Sequence, residues 1–251
     1  MASWARQRRF AYGLIVIGAV ALAAGIPIFK AMYKPPSCFD GVKDGDETGV
    51  DCGGSCRRLC PGAFMAPIVP WTRMSETAPG LYNVAAYIIN PNTGVEAQGV
   101  PYKMILYDAK GIPVAEADGS VTLPPGRNTL AFQAAVNAGK NPPIMAMFQF
   151  TAAPEWFAAP DALSALSVTD KRYSDSQSGS SLSVFLKNNG PEPMRGITVY
   201  AVLYDKDGNV ADFSKTILDY IPAGGSVTAP FTWPESHAGR VVSIEVLPVA
   251  Q

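Results

Sequence analysis

The hydrophobic pattern divides the chain into two unlike parts. From Phe10 to Phe29 twenty consecutive residues carry no charge. At ~1.5 Å rise per residue a helix over this run is about 30 Å long, the thickness of a bilayer core. Beyond Pro61 the apolar residues come in short alternating stretches instead. Ser181-Leu182-Ser183-Val184 has the period of two of a half-buried strand. Ile197, Val199, Ala201 and Leu203 form one face of a further strand, and Tyr200, Val202 and Tyr204 the other. Apolar residues on both faces predict a central strand covered on both sides. No long helix is predicted after residue 30.

The body also repeats. Leu106-Tyr107-Asp108-Ala109-Lys110-Gly111 recurs as Leu203-Tyr204-Asp205-Lys206-Asp207-Gly208, 97 positions on. At the same offset Pro125 pairs with Pro222 and Met147 with Ile244, while Asn90 pairs with Asn188 after a one-residue shift. Asp at a strand end with Gly three residues later predicts a type I turn opening a hairpin. Closely spaced strands and turns predict about seven strands per copy in a sandwich. The expected fold is therefore all-β: two tandem immunoglobulin-like β-sandwiches after an N-terminal transmembrane helix and a small disulfide-rich segment. The expected divisions are a cytoplasmic N-terminus at 1–9, the span at 10–29, and a linker at 30–65 with its Cys-rich part at 38–60. The first sandwich follows at 66–150, a Pro-containing linker at 151–162 and the second sandwich at 163–251.

Charge gives the span a direction. Arg6, Arg8 and Arg9 precede it and Lys30 and Lys34 follow it, which places the N-terminus in the cytoplasm and the remainder outside. Trp4, Tyr12 and Tyr33 stand where interfacial aromatics occur. Ala21-Leu22-Ala23 has the form a signal peptidase accepts, but the apolar run continues through Ile26 to Phe29, so an uncleaved single-pass anchor is the expectation. The net charge is −1, and no basic stripe is interleaved with aromatics, so no nucleic-acid partner is expected.

All four cysteines, Cys38, Cys52, Cys56 and Cys60, lie just beyond the span. An even number in a short exported segment predicts two disulfides, whose pairing the spacing leaves open. A zinc site is the rival, although the gaps of thirteen, three and three residues differ from the usual two. Asp44, Asp46 and Thr48, followed by Gly49, match the first half of a calcium loop, and Asp40 or Asp51 could supply a further oxygen. The alternative is that these residues only make turns. Both readings stay open, and calcium is the one cofactor in view.

This segment resembles a motif of bacterial surface proteins, C-x-D-G-x(3)-G-x-E-x(3)-D-C-G-G-x-C, which implies a cell-surface setting and no reaction. The strand-turn of Leu106, Tyr107, Asp108 and Gly111, and of Leu203, Tyr204, Asp205 and Gly208, resembles the FxLYD domain, a small immunoglobulin-like bacterial module of unknown function. Its first signature position, Phe in the family, is Met104 in one copy and Ala201 in the other. An anchor, a Cys-rich spacer and such domains together resemble a recurrent arrangement in envelope proteins of small-genome bacteria.

Catalytic sets are scarce. The single histidine, His237, sits beside Glu235 and Ser236 in a loop and reads as a polar tip, and there is no nucleophile elbow, phosphate loop or dinucleotide fingerprint. Met145 and Met147 share a strand face, where core packing is expected over soft-metal binding. Trp71, Trp156 and Trp233 either stack on sugars or plug the ends of the sandwiches. The expectation is a non-enzymatic envelope protein that meets a protein or surface polymer. The alternatives are a structural subunit of a membrane complex and a carbohydrate-binding accessory.

Overall fold

The structure is a computed structural model that describes residues 2–33 and 35–250; Lys34, counted above on the outer side of the span, lies outside them. The chain forms two compact units, divided between Cys56 and Arg57. In the first unit α1 runs Ala2–Met32 and outlasts the apolar run at both ends, since no glycine or proline interrupts the polar stretch before Phe10. Its Arg8–Lys30 stretch is long and apolar enough to cross a membrane.

The second unit holds thirteen strands. They are β1 (Ile68–Ala78), β2 (Leu81–Ile89), β3 (Val95–Tyr107), β4 (Pro113–Leu123), β5 (Asn128–Asn137), β6 (Met145–Phe150), β7 (Phe157–Ala158), β8 (Leu166–Ser176), β9 (Gly179–Asn188), β10 (Met194–Tyr204), β11 (Val210–Ile221), β12 (Ser226–Trp233) and β13 (Ser243–Ala250). Every named pairing among them is antiparallel. The sheets run β1-β2-β5, β4-β3-β6 with β7 on β3, β12-β9-β8 and β11-β10-β13. Each sandwich thus has six main strands, and sandwich 1 a seventh in the two-residue β7, close to the seven expected per copy. The strands are long, eleven and thirteen residues in β10 and β3, so fewer of them use the same length of chain.

Three hydrophobic layers join the four sheets. Val84, Ala86 and Ile88 of β2 meet Tyr102, Met104 and Leu106 of β3 inside sandwich 1. Leu182, Val184 and Leu186 of β9 meet Val199, Ala201 and Leu203 of β10 inside sandwich 2. A third layer lies between the sandwiches, where Ala85, Tyr87 and Leu130 pack with Val202, Phe213 and Leu247. The order is therefore (β4-β3-β6), (β1-β2-β5), (β11-β10-β13), (β12-β9-β8). Because β10 is buried on both faces, Ala201, Val202 and Leu203 are all sealed, as its two-faced apolar pattern requires.

The turns have specific locks. Asp108 Oδ1 accepts the amides of Lys110 and Ile112, and Asp205 Oδ1 those of Asp207 and Asn209. Gly111 and Gly208 sit at φ 74° and 78°, and each amide donates to the carbonyl of the Asp three residues back. The Asn209 amide, with further donors and Lys206, holds the Asp205 carboxyl below the usual carboxylate range. Buried Asn90 donates to the carbonyls of Val95 and Pro124 and accepts the amide of Asn92. Buried Asn188 does the same with Glu192, Pro222 and Gly190. Hence Pro124, not Pro125, occupies the place of Pro222. Leu106 pairs with Ala146 and Leu203 with Ile244, so Ile244 likewise takes the place of Ala146 rather than Met147. A one-residue slip exchanges inward and outward positions.

Candidate functional site

The Cys-rich segment is closed covalently. Cys38 is bonded to Cys56, Cys52 and Cys60 are disulfide-bonded as well, and no described cysteine is free. The sulfurs therefore hold no zinc. Sγ of Cys38 and Cys56 and a Glu47 oxygen do lie together, but with the sulfurs bonded to each other only the carboxylate remains as a ligand.

The acidic side chains turn to nearby donors. Asp51 accepts the amides of Asp40 and Gly41, Asp40 that of Val42, and Asp44 that of Ser37. Asp46 accepts the Ser55 hydroxyl at 2.6 Å, a bond that, with the Ser55 amide, lowers its carboxyl pKa. The Thr48 amide donates to the Cys52 carbonyl. Glu47, which the calcium-loop reading passed over, is buried and accepts the amides of Asp44 and Asp51. These are the bonds by which Asp and Glu close turns.

His237 differs from its expectation. It is 2% exposed, not a polar tip. Nε2 lies 3.0 Å from Asp212 Oδ2 on β11, and Nδ1 lies 2.9 Å from Ser180 Oγ on β9. Serine, imidazole and carboxylate from three separate elements thus meet in the order of a hydrolase triad. The set is sealed, however. Ser180 is 3% exposed and Asp212 7%. Around Ser180 Oγ stand Asp175 Oδ1, the Glu235 carbonyl, His237 Nδ1 and the His237 amide. Four partners exceed the capacity of one hydrogen and two lone pairs, and no reacting carbonyl can approach. Burial pushes the Asp212 carboxyl up, against hydrogen bonds from the Phe213 amide, Ser75 and His237. Burial also acts on Asp175, but hydroxyls of Ser180 and Ser236 and the His237 amide outweigh it and hold that carboxyl low. The cluster pins the β12–β13 loop into sandwich 2. Its only trace in the sequence was a carboxylate among apolar residues, Val210-Ala211-Asp212-Phe213.

Two of the three aromatic candidates are also inside. Trp156 packs with Phe64 in the core of sandwich 1, and Trp233 stacks on Phe231 in that of sandwich 2. Trp71 packs on Tyr87 and Phe213 between the sandwiches. The methionines are the reverse. Met145 and Met147 share a face as expected, but they are 47% and 51% exposed and do not pack in the core. They border a groove of about 610 Å³ between β1 and β6, lined also by Trp71, Met74, Ile144 and Phe148. β1 and β6 are edge strands of their sheets, so this is the open seam of a six-stranded sandwich. In sandwich 2 the corresponding seam is crossed by Lys171, whose Nζ donates to the Ile244 carbonyl. In sandwich 1 Arg73 bonds instead to Thr72 beside it on β1.

No family model and no curated protein matches the chain. Among solved structures it is similar to a β-glucuronidase from glycoside hydrolase family 2, at 10% identity and a TM-score of 0.25, over 70% of this chain and 24% of that one. Bacteroides uniformis β-glucuronidase gives 16% identity and a TM-score of 0.22, over 69% and 22%. The tandem CBM22-1-CBM22-2 domain of Paenibacillus barcinonensis Xyn10C gives 7% identity and a TM-score of 0.16, over 79% and 87%. The chain spans about a quarter of the length of the two glucuronidases. Likeness at this level carries no argument about activity.

Proposed function

We propose that the chain is a non-enzymatic, single-pass envelope protein that presents its two β-sandwiches outside the cytoplasm for contact with a protein or a surface polymer. The observation that carries this is a contrast within the body. The one serine–histidine–aspartate set is sealed in a core, whereas the accessible apolar feature is a seam between two strand edges, a form suited to docking. The Arg8–Lys30 helix, with arginines on its N-terminal flank, supports a cytoplasmic N-terminus. Disulfides beyond the helix fit an oxidising compartment. The resemblance of the Cys-rich segment to a motif of bacterial surface proteins agrees with a surface role. Of the three tryptophans that could stack on sugars, Trp156 and Trp233 are buried, which leaves the half-buried Trp71 in the groove.

Protease protection of the full chain tests the anchor and its direction. Protease added outside intact cells should remove the body while a short N-terminal fragment stays protected. Digestion of the body only after the cytoplasmic side is opened would overturn the topology.

A further inference from the structure

The four sheets have eight edge strands, and a bare edge invites another strand unless something blocks it. Seven of them carry a block. β1 has Arg73 and a shifted register, β4 has Asp118, and β8 has Lys171. β11 has Lys215, while β12 has Pro230 and β13 has Pro248. On β5, Ala135 is at φ 52° and the register shifts beside it. β6, Met145-Ala146-Met147-Phe148-Gln149-Phe150, has none of these devices. It carries no charge and no proline, and its pairing with β3 is unbroken over all six residues. Its outward side chains are exposed.

We propose that β6 pairs with β6 of a second copy of this chain, antiparallel and about a two-fold axis, so that β4-β3-β6 continues into a six-stranded sheet. The register follows from the pleat. Directly opposed residues of an antiparallel pair point to the same side. Met145, Met147 and Gln149 point outward here, opposite Tyr107, Ile105 and Lys103. To keep both outer faces on one side, an outward residue must oppose an outward residue. Met147, the middle of the three, therefore stands opposite its own copy, and Met145 stands opposite Gln149. An uncharged strand can meet itself this way without like charges, which the edges bearing Arg73, Asp118, Lys171 or Lys215 cannot do as freely. The pairing would satisfy the free backbone edge of β6 in both copies and bring the two Met147 side chains against each other on the outer face. Confinement of anchored chains to one membrane would favour it. The proposal rests on the interaction role above, but its test does not depend on which side of the membrane the body occupies.

The test uses the full chain in detergent. Since no described cysteine is free, Met147→Cys adds the only reactive thiol. Oxidation should give a disulfide-linked dimer on a non-reducing gel, because opposed Cβ atoms lie about 4.5–5.5 Å apart. Thr228→Cys, exposed on β12, should stay monomeric. In sedimentation equilibrium the wild type should self-associate. Met147→Lys should weaken that about tenfold or more, since two ammonium groups would then face each other across the axis. Far-UV circular dichroism confirms that each variant is folded. A folded Met147→Cys that stays monomeric, a wild type that does not self-associate, or association unchanged by Met147→Lys would each overturn the proposal. So would a β6-dependent complex with a different protein and no homodimer. A failure here leaves the protease result standing, so the two readings fail separately.

Discussion

Asn188→Ala should be among the most damaging single changes in sandwich 2. The side chain is fully buried and makes three bonds, to the carbonyls of Glu192 and Pro222 at 2.7 and 3.2 Å and from the amide of Gly190 at 2.9 Å. Alanine removes all three at once. A buried polar group left without its partner costs about 1–3 kcal/mol. Glu192 and Pro222 are exposed residues, so their carbonyls can take water, which brings each loss towards the lower end. The expected sum is about 3 kcal/mol. Urea unfolding of the full chain in detergent, followed by tryptophan fluorescence, reads this directly, because Trp233 lies in the core of the same sandwich. Asn90→Ala should cost a similar amount in sandwich 1, where Trp156 is the buried reporter. A loss below about 1 kcal/mol for Asn188→Ala, no more than one ordinary hydrogen bond, would refute the view that this asparagine locks the two turns together.

Asp212 predicts a pH dependence of definite sign. Burial raises its folded pKa above the unfolded value, so the folded state holds the extra proton. Its contribution is fully present below the unfolded pKa and is lost as pH rises through the folded one. Thermal unfolding from about pH 3.5 upward should therefore show a declining component that Asp212→Asn abolishes; identical pH profiles would sink the idea. At the layer between the sandwiches Glu245 accepts the hydroxyls of Tyr87 and Tyr204 at 2.7 and 2.9 Å. Glu245→Ala should cost about 2 kcal/mol after allowance for partial exposure, and a double-mutant cycle with Tyr87→Phe should show coupling. The Cys38–Cys56 bond closes a loop of 18-residue separation. Replacing both by Ser should cost its segment about 3 kcal/mol and expose it to limited proteolysis, which the wild type should resist.

What the sequence made legible was local. The apolar run, the alternation in β9, the two-faced pattern of β10 and the Asp-x-x-Gly turns each depend on neighbours a few residues apart, and each corresponds to an observed element. Features built across long separations were not legible. Ser180 and Asp212 are 57 and 25 positions from His237, and no local pattern announces that they meet. Nor could the sequence say what covers the Tyr200, Val202 and Tyr204 face of β10. The answer, sheet β1-β2-β5, depends on Trp71, Tyr87 and Phe132 arriving from three different strands. Met145 and Met147 misled in a simpler way, since a methionine pair on one strand face looks the same whether that face is covered or bare.

The last strand has a consequence for the order in which the body can assemble. β13 completes its sheet beside β10, and the same strand sends Glu245 and Leu247 into the layer against sandwich 1. Sandwich 1 needs nothing beyond Trp156 to fill its own core. A chain made from its N-terminus onward could thus finish one sandwich before the other. Until β13 is made, Tyr87 lacks the Glu245 carboxylate and β10 has β11 on one side only. A chain still short of its last eight-residue strand would thus carry one bare edge of β10, and holdase chaperones would find their target there.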